Sequence, residues 1–293
     1  MKKQIFGLLL MVMSLSLSLP TVVWGQITSQ EEIFPQFAVG GGTEYADGFR
    51  LVSGWETGVI VKNKTGVPAK VRVLFAGHRA DQLRGLIKVQ YPGENSLADI
   101  TDIDPMTKVL FFPLEVAPFG SVQAIISWPK PEVEAGWLKV QVETPSQPRY
   151  PIVSVFLQYR YKVNSLVTGQ ATVNPGYYNG VNRDISFYAR RYTGANQDRS
   201  ETGLALVNLS FNRPSTCTFT RRNRDGGILD SFNEVIPGLG HFARFLGEMG
   251  PSLNLINYEG SMEVSCTATV IIVVLQMTGN GSNFNFSTIN IGP

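Results

Sequence analysis

The chain has 293 residues, with 25 Lys and Arg against 23 Asp and Glu, and is 16% charged and 43% hydrophobic. That balance excludes a general electrostatic grip on nucleic acid or on an anionic membrane surface. Two histidines, with two cysteines read below as a disulfide, do not supply the three or four ligands of a zinc site.

Lys2 and Lys3 precede an apolar stretch over residues 5–19, which Pro20 ends before Val23-Trp24-Gly25. This predicts a signal peptide over residues 1–25, cut near Gly25. The stretch is short and rich in Ser for a membrane span, so no stable insertion is expected after cleavage; an uncleaved anchor is the alternative. Losing Lys2 and Lys3 takes the 25 basic residues to 23, equal to the 23 acidic ones, so the mature chain is formally neutral. The expected setting is secreted, extracellular or periplasmic. The mature length suits two domains, 26–168 and 169–293, each large enough to bury a core.

Three segments recur in order. Thr57-Gly-Val-Ile-Val-Lys-Asn63 returns as Thr202-Gly-Leu-Ala-Leu-Val-Asn208, Gly136-Trp-Leu-Lys-Val-Gln-Val142 as Gly260-Ser-Met-Glu-Val-Ser-Cys266, and Ile152-Val-Ser-Val-Phe-Leu-Gln158 as Val270-Ile-Ile-Val-Val-Leu-Gln276. The kept order indicates an internal duplication. Val71, Val73 and Phe75 alternate with Lys70 and Arg72, and Leu138, Val140 and Val142 with Lys139 and Gln141, the period of a sheet with one wet face. The unbroken apolar run over residues 270–275 reads as a central buried strand. Turn residues separate these runs at Lys64-Thr-Gly-Val-Pro68, Tyr91-Pro-Gly93, Asp225-Gly-Gly227 and Gly279-Asn-Gly281. The expected fold is all-β: two tandem antiparallel β-sandwiches of Ig-like architecture.

Residues 241–249 suggest one or two helical turns stopped by Gly250-Pro251, whereas the matching residues 121–128 read as strand. Residues 163–182 read as a linker and an entering strand, with the boundary at Gly169. Register differs between the copies: Val71 and Val73 face Thr216 and Thr218 in number, yet Cys217 and Phe219 carry the buried pattern. A bulge or a different turn after Asn208, near Pro214, is expected.

Cys217 and Cys266 both lie in the second copy and share an inward face with Phe219 and with Met262 and Val264, so a disulfide is expected; two buried free thiols are the alternative. Arg72 and Val142 stand at the matching positions of the first copy. His78 and His241 lie apart with no nucleophile elbow beside either, which does not make a triad. Asp99, Asp102 and Asp104 form a weak calcium candidate that lacks the full twelve-residue loop pattern. Glu132 and Glu134 sit in a Pro-rich turn with no sign of a cleft between them. Arg221, Arg222 and Arg224, with Arg190 and Arg191, can grip an acidic polysaccharide or a protein; a solvated hairpin tip is the plain alternative. Tyr177, Tyr178, Tyr188 and Tyr192 can form a platform for sugar rings, or can pack the domain junction. No cofactor is expected. Asn63, Asn208, Asn280 and Asn285 head glycosylation sequons.

Phe34-Pro-Gln-Phe-Ala-Val-Gly-Gly-Gly42, the Thr-Gly-x-x-x-x-Asn strand at 57–63 and 202–208, and Ala243-Arg-Phe-Leu246 together resemble an uncharacterised class of secreted bacterial proteins with paired β-sandwich modules. The resemblance covers most of the mature chain. It implies an extracellular or cell-surface setting and no established enzymatic activity, and it transfers no functional residue; the cysteine pair is a departure from it. The functional expectation is a non-catalytic secreted or cell-surface structural or adhesive module that presents loops to a protein or glycan partner. The alternatives are a carbohydrate-binding protein and a periplasmic chaperone-like protein that completes a partner's sheet. The last requires a free strand edge beside the Arg-rich hairpin.

Overall fold

A computed structural model describes residues 28–41, 45–46, 50–51, 53–76, 80–128, 130–144, 153–180, 183–194, 198–250, 257–280, 283–289 and 291. The expected signal peptide and His78 lie outside these residues. The first part of the chain forms β1 (Thr28–Gly40), β2 (Tyr45–Ala46), β3 (Arg50–Leu51), β4 (Gly54–Asn63), β5 (Ala69–Leu74), β6 (Lys88–Gln90), β7 (Ala98–Asp99), β8 (Phe111–Val116), β9 (Ser121–Ser127), β10 (Val133–Thr144) and β11 (Val153–Val163). β12 (Leu166–Val173) completes the first part, and the second forms β13 (Tyr177–Asn179), β14 (Ile185–Thr193), β15 (Asp198–Asn208), β16 (Ser215–Asn223), β17 (Ile228–Ile236), β18 (His241–Phe245), β19 (Tyr258–Cys266), β20 (Val270–Asn280) and β21 (Asn283–Thr288). Apart from a four-residue helix at Ala80–Leu83 and a 3-10 turn at Leu246–Glu248, the regular structure of the described residues is strand.

In the first half one layer runs β1-β10-β5-β8 and the other β7-β6-β9-β4-β11-β12. In the second half the layers run β14-β19-β16-β17 and β18-β15-β20-β21. Pairing within the layers is antiparallel. The exception joins the halves: β12 runs parallel beside β21, with Gly169 opposite Phe284. Inward residues of facing layers share a core, such as Val71, Val140, Val59 and Leu157 in the first half and Phe219, Val264, Leu206 and Ile272 in the second.

The unbroken apolar run of β20 is explained by burial on both faces. Val270, Ile272 and Val274 pack into the second core, while Val273 and Leu275 pack into the first. A strand that is wet on one face alternates; one covered on both faces does not.

The Thr-Gly-x-x-x-x-Asn strand has a local reason in each half. Asn63 is buried at the end of β4, where its Nδ2 donates to the carbonyls of Val67, Val116 and Ala117 and its Oδ1 accepts from the Thr65 amide. Asn208 does the same at the end of β15, donating to Arg213, Ile236 and Pro237 and accepting from the Ser210 amide. Neither side chain is open to a sequon-reading enzyme. Thr57 bonds both backbone groups of Ala38 on β1, and Thr202 accepts from the Arg190 amide on β14. One asparagine thus satisfies several turn carbonyls that strand pairing leaves over.

Several expectations are corrected. Residues 241–249 are mainly strand: β18 pairs β15 from Phe245 opposite Gly203 to His241 opposite Val207, and only Leu246–Glu248 turn helically. The pairing explains this, because the edge of β15 needs a partner as the edge of β4 needs β9. No linker follows Val163. Asn164 and Ser165, both with positive φ, make a two-residue hairpin turn into β12. Gly169 lies inside β12, where a Cβ would meet the Phe284 ring at 2.5 Å. The register slip comes from a longer turn. Val71 follows Asn63 by eight residues and Cys217 follows Asn208 by nine, yet Val71 opposes Val142 as Cys217 opposes Cys266. The counterpart of Cys217 is therefore Val71 rather than Arg72. Arg72 points outward and pairs with Asp104.

Candidate functional site

Alternation along β14 sends Ile185, Phe187 and Ala189 inward and Tyr188, Arg190 and Tyr192 outward. The next strand, β19, presents Glu259 on the same outer face, with Arg190 opposite it. Tyr188 donates its hydroxyl to Glu259 at 2.5 Å, and Arg224, from the β16–β17 turn, pairs with the same carboxylate. The Arg190 guanidinium lies 5.6 Å from the centre of the Tyr192 ring. Arg190, Tyr192, Arg224, Tyr258 and Glu259 border a shallow groove of about 320 Å³. Both Tyr188 and Tyr192 are exposed. The surface therefore offers aromatic faces, guanidinium groups and one shared carboxylate, which suits a polar partner with ring faces or acidic groups.

The structure divides the expected arginines. Arg224 belongs to the groove. Arg222 forms a two-pronged pair with Glu263 at 2.9 and 3.0 Å, which raises its pKa, and also donates to the Gly226 carbonyl. For Arg221 the solvated hairpin-tip reading fails, whereas Arg224 is exposed in the turn. Arg221 is 0% exposed, on the inward face after Cys217 and Phe219, where it donates to both oxygens of Asp230 and sits over Phe232. Its place was readable: residues 217, 219 and 221 share one parity in a strand. Beside it, burial pushes the Tyr258 hydroxyl up to about 12, against opposing effects of the Arg221 charge and the Arg222 carbonyl.

Tyr177 and Tyr178 lie on β13, which pairs with β20 in the other layer, so they do not join Tyr188 and Tyr192. Glu259 was missed as a site residue, since its place opposite Arg190 depends on a strand register that the sequence does not display.

The calcium candidate is not assembled. Asp99 pairs with Lys88 at 2.5 Å. Asp104 is buried; it accepts from Arg72 and from the Met106 and Thr107 amides. Burial alone raises the pKa of its carboxyl, but the Thr107 and Arg72 hydrogen bonds outweigh it and hold the value at about 2. Among the described residues no cluster of three His, Cys, Asp or Glu side chains could hold a metal ion. Cys217 and Cys266 are bonded across β16 and β19, with Cα atoms 4.1 Å apart.

A second concavity, of about 260 Å³, opens between the halves, with Trp55 and Tyr159 on one side and Leu204, Phe245 and Phe286 on the other. Trp55 packs at 5.6 Å from Phe284 and 6.1 Å from Phe286, so it is part of the junction between the halves. Among the described residues no helix is long and apolar enough to cross a membrane.

No family model matches the chain, and no curated protein matches it. A solved structure titled "Biofilm associated protein - B domain" aligns over 86% of this chain and 84% of its own, at 8% identity and a TM-score of 0.19. A TM-score of that size does not establish a shared fold, and the likeness carries no inference about this chain.

Proposed function

We propose that this is an exported, non-catalytic pair of Ig-like β-sandwiches, derived by duplication, that serves as a structural and adhesive surface module. The duplication is supported by the matching strand order of the two halves and by the identical work of Asn63 and Asn208. The observation that carries the adhesive reading is the outward row Tyr188, Arg190 and Tyr192 on β14, with Arg224 and Glu259 alongside. Binding of the purified chain to cells, extracellular matrix and a glycan array tests it. Binding that Tyr192→Ala and Arg224→Ala weaken at least about tenfold, with unchanged melting, is the expected result. A chain that binds none of these surfaces overturns the reading.

A second reading, carbohydrate binding, is favoured by the two exposed tyrosine rings beside guanidinium groups, an arrangement suited to an acidic glycan. It expects the array signal to concentrate on acidic glycans and to vanish in Tyr188→Ala, Tyr192→Ala. An array without any such signal removes it.

A further inference from the structure

We propose that the outer edge of β17 is a self-pairing surface, through which two copies of this chain join antiparallel about a two-fold axis at Phe232. β17 pairs with β16 along one edge. Among the described residues no strand pairs with its other edge.

Free edges in soluble proteins are ordinarily blunted by short length, proline, lysine, a bulge, inward-pointing charges or a covering segment. β8, at the same place in the first half, is blunted in this way. It has six residues and contains Pro113, and the Phe111 amide is taken by the Asp102 carbonyl at 3.0 Å. β17 has nine residues with no proline and no lysine; its bulge lies at one end, and its two inward carboxylates, Asp230 and Glu234, are each held by an arginine. It exposes Ile228 at 61%, Leu229 at 49% and Val235 at 63%.

The occupant is written in the strand itself. Ile228-Leu-Asp-Ser-Phe232-Asn-Glu-Val-Ile236 has the same residue classes read from either end. Antiparallel pairing about Phe232 sets Ile228 opposite Ile236 of the second copy, Leu229 opposite Val235, Asp230 opposite Glu234 and Ser231 opposite Asn233. Each relation holds in both directions, as a two-fold interface requires. The bulge where Arg221 and Arg222 face Asp230 and Ile228 ends the flat part of the strand. Ile228 and Leu229 are both exposed there, so an apolar side chain meets Val235 in either case. The two carboxylates do not repel unopposed, because Asp230 holds Arg221 and Glu234 holds Arg244 in each copy. Phe232, half-buried, stacked 5.1 Å from Phe219 and lined by Gly250, lies on the axis beside its own counterpart. Such a dimer carries two copies of the β14 groove, but the pairing does not depend on what the groove binds.

Ser231 and Asn233 face outward in the regular part of the strand and would meet across the axis. The test is sedimentation equilibrium of the full exported chain and of two variants with the same number of changes. Ser231→Lys, Asn233→Lys sets lysine against lysine; Ser231→Lys, Asn233→Glu sets lysine against glutamate. The expected result is a dimer for the native chain, at least about tenfold weaker dimerisation for the first variant, and a dimer that high salt weakens for the second. Thermal melting of both variants checks that the fold persists. A native chain that stays monomeric overturns the proposal, including one that captures an unrelated strand peptide instead. So does a dimer that both variants affect equally or not at all.

Discussion

Trp137 of β10 donates its indole N–H to the carbonyl of Leu239 across the junction of the halves, at 2.9 Å. Leu239 sits with positive φ in the turn before β18 and packs against Trp137, Ala76 and Val207. Phe119, in the turn before β9, has the same backbone conformation and is 71% exposed. The same kind of turn is therefore docked in one half and open in the other. Ser261 stands in the second half where Trp137 stands in the first, so only one half offers the tryptophan that receives such a turn.

Trp137→Ala is expected to cost about 3–5 kcal/mol, the usual range for emptying a buried tryptophan site. Trp137→Phe keeps most of the packing and loses the hydrogen bond, at about 1–2 kcal/mol. Calorimetry is expected to show one transition for the native chain, because β20 contributes to both cores. Two resolved transitions would show that the halves unfold independently.

Asn208→Ala removes the donor from three turn carbonyls and the acceptor from the Ser210 amide. The expected loss is about 2–4 kcal/mol, with a similar loss for Asn63→Ala. Asn208→Asp turns a carboxylate toward those carbonyls, which raises its folded pKa above the ordinary aspartate value. Its stability is then present at low pH and lost as pH rises through the raised value, opposite to most proteins. Urea midpoints at several pH values between 3 and 7 read the sign.

Legibility in the sequence followed the physics of single strands. Alternation revealed β5 and β10, and the unbroken run at 270–275 marked a buried strand, because each pattern is local to its strand. The cysteine pair was legible for the same reason, since Cys217 and Cys266 each share a face with core residues. Residues 241–249 misled because Phe242, Phe245 and Leu246 suit a helix as well as a strand, and only the demand of β15 for a partner decides. Arg221 was legible by parity but was hidden by the prior that arginine is solvated. Glu259, Arg224 and Tyr188 meet through register between three strands, which no single segment encodes.

Non-reducing mass mapping is expected to find Cys217 and Cys266 linked. Reduction is expected to destabilise by about 4 kcal/mol on the chain-entropy account of a loop near fifty residues. Cys217→Val with Cys266→Val reproduces the opposed Val71 and Val142 of the first half, so this variant is expected to fold without the bridge. Melting with and without reductant compares the two; a double variant that fails to fold contradicts the correspondence.

Asp104 predicts a weakened acid limb. Its folded pKa lies at about 2, below the ordinary 3.8, so its contribution is full above about pH 5 and fades as pH falls toward 2. After allowance for solvent screening the contribution is of order 1–2 kcal/mol. Asp104→Asn loses the Arg72 ion pair while keeping one acceptor for Thr107. The variant is expected to be less stable at neutral pH and to lose less than the native chain between pH 4 and 2, as denaturant titrations would show.

Arg221 and Asp230 form an ion pair beneath the sheet, with the guanidinium fully desolvated. Its Nη1 is buried with no partner among the described residues, so the site is not a fully satisfied polar network. Breaking such a pair on one side leaves an uncompensated charge, and Arg221→Met is expected to cost about 3–5 kcal/mol. Replacing both partners, Arg221→Met with Asp230→Leu, removes the charge with its counter-charge and is expected to recover most of that loss. A double-mutant cycle by urea denaturation measures the coupling. If Arg221→Met alone is as stable as the native chain, the buried pair is not what holds this end of β16 against β17.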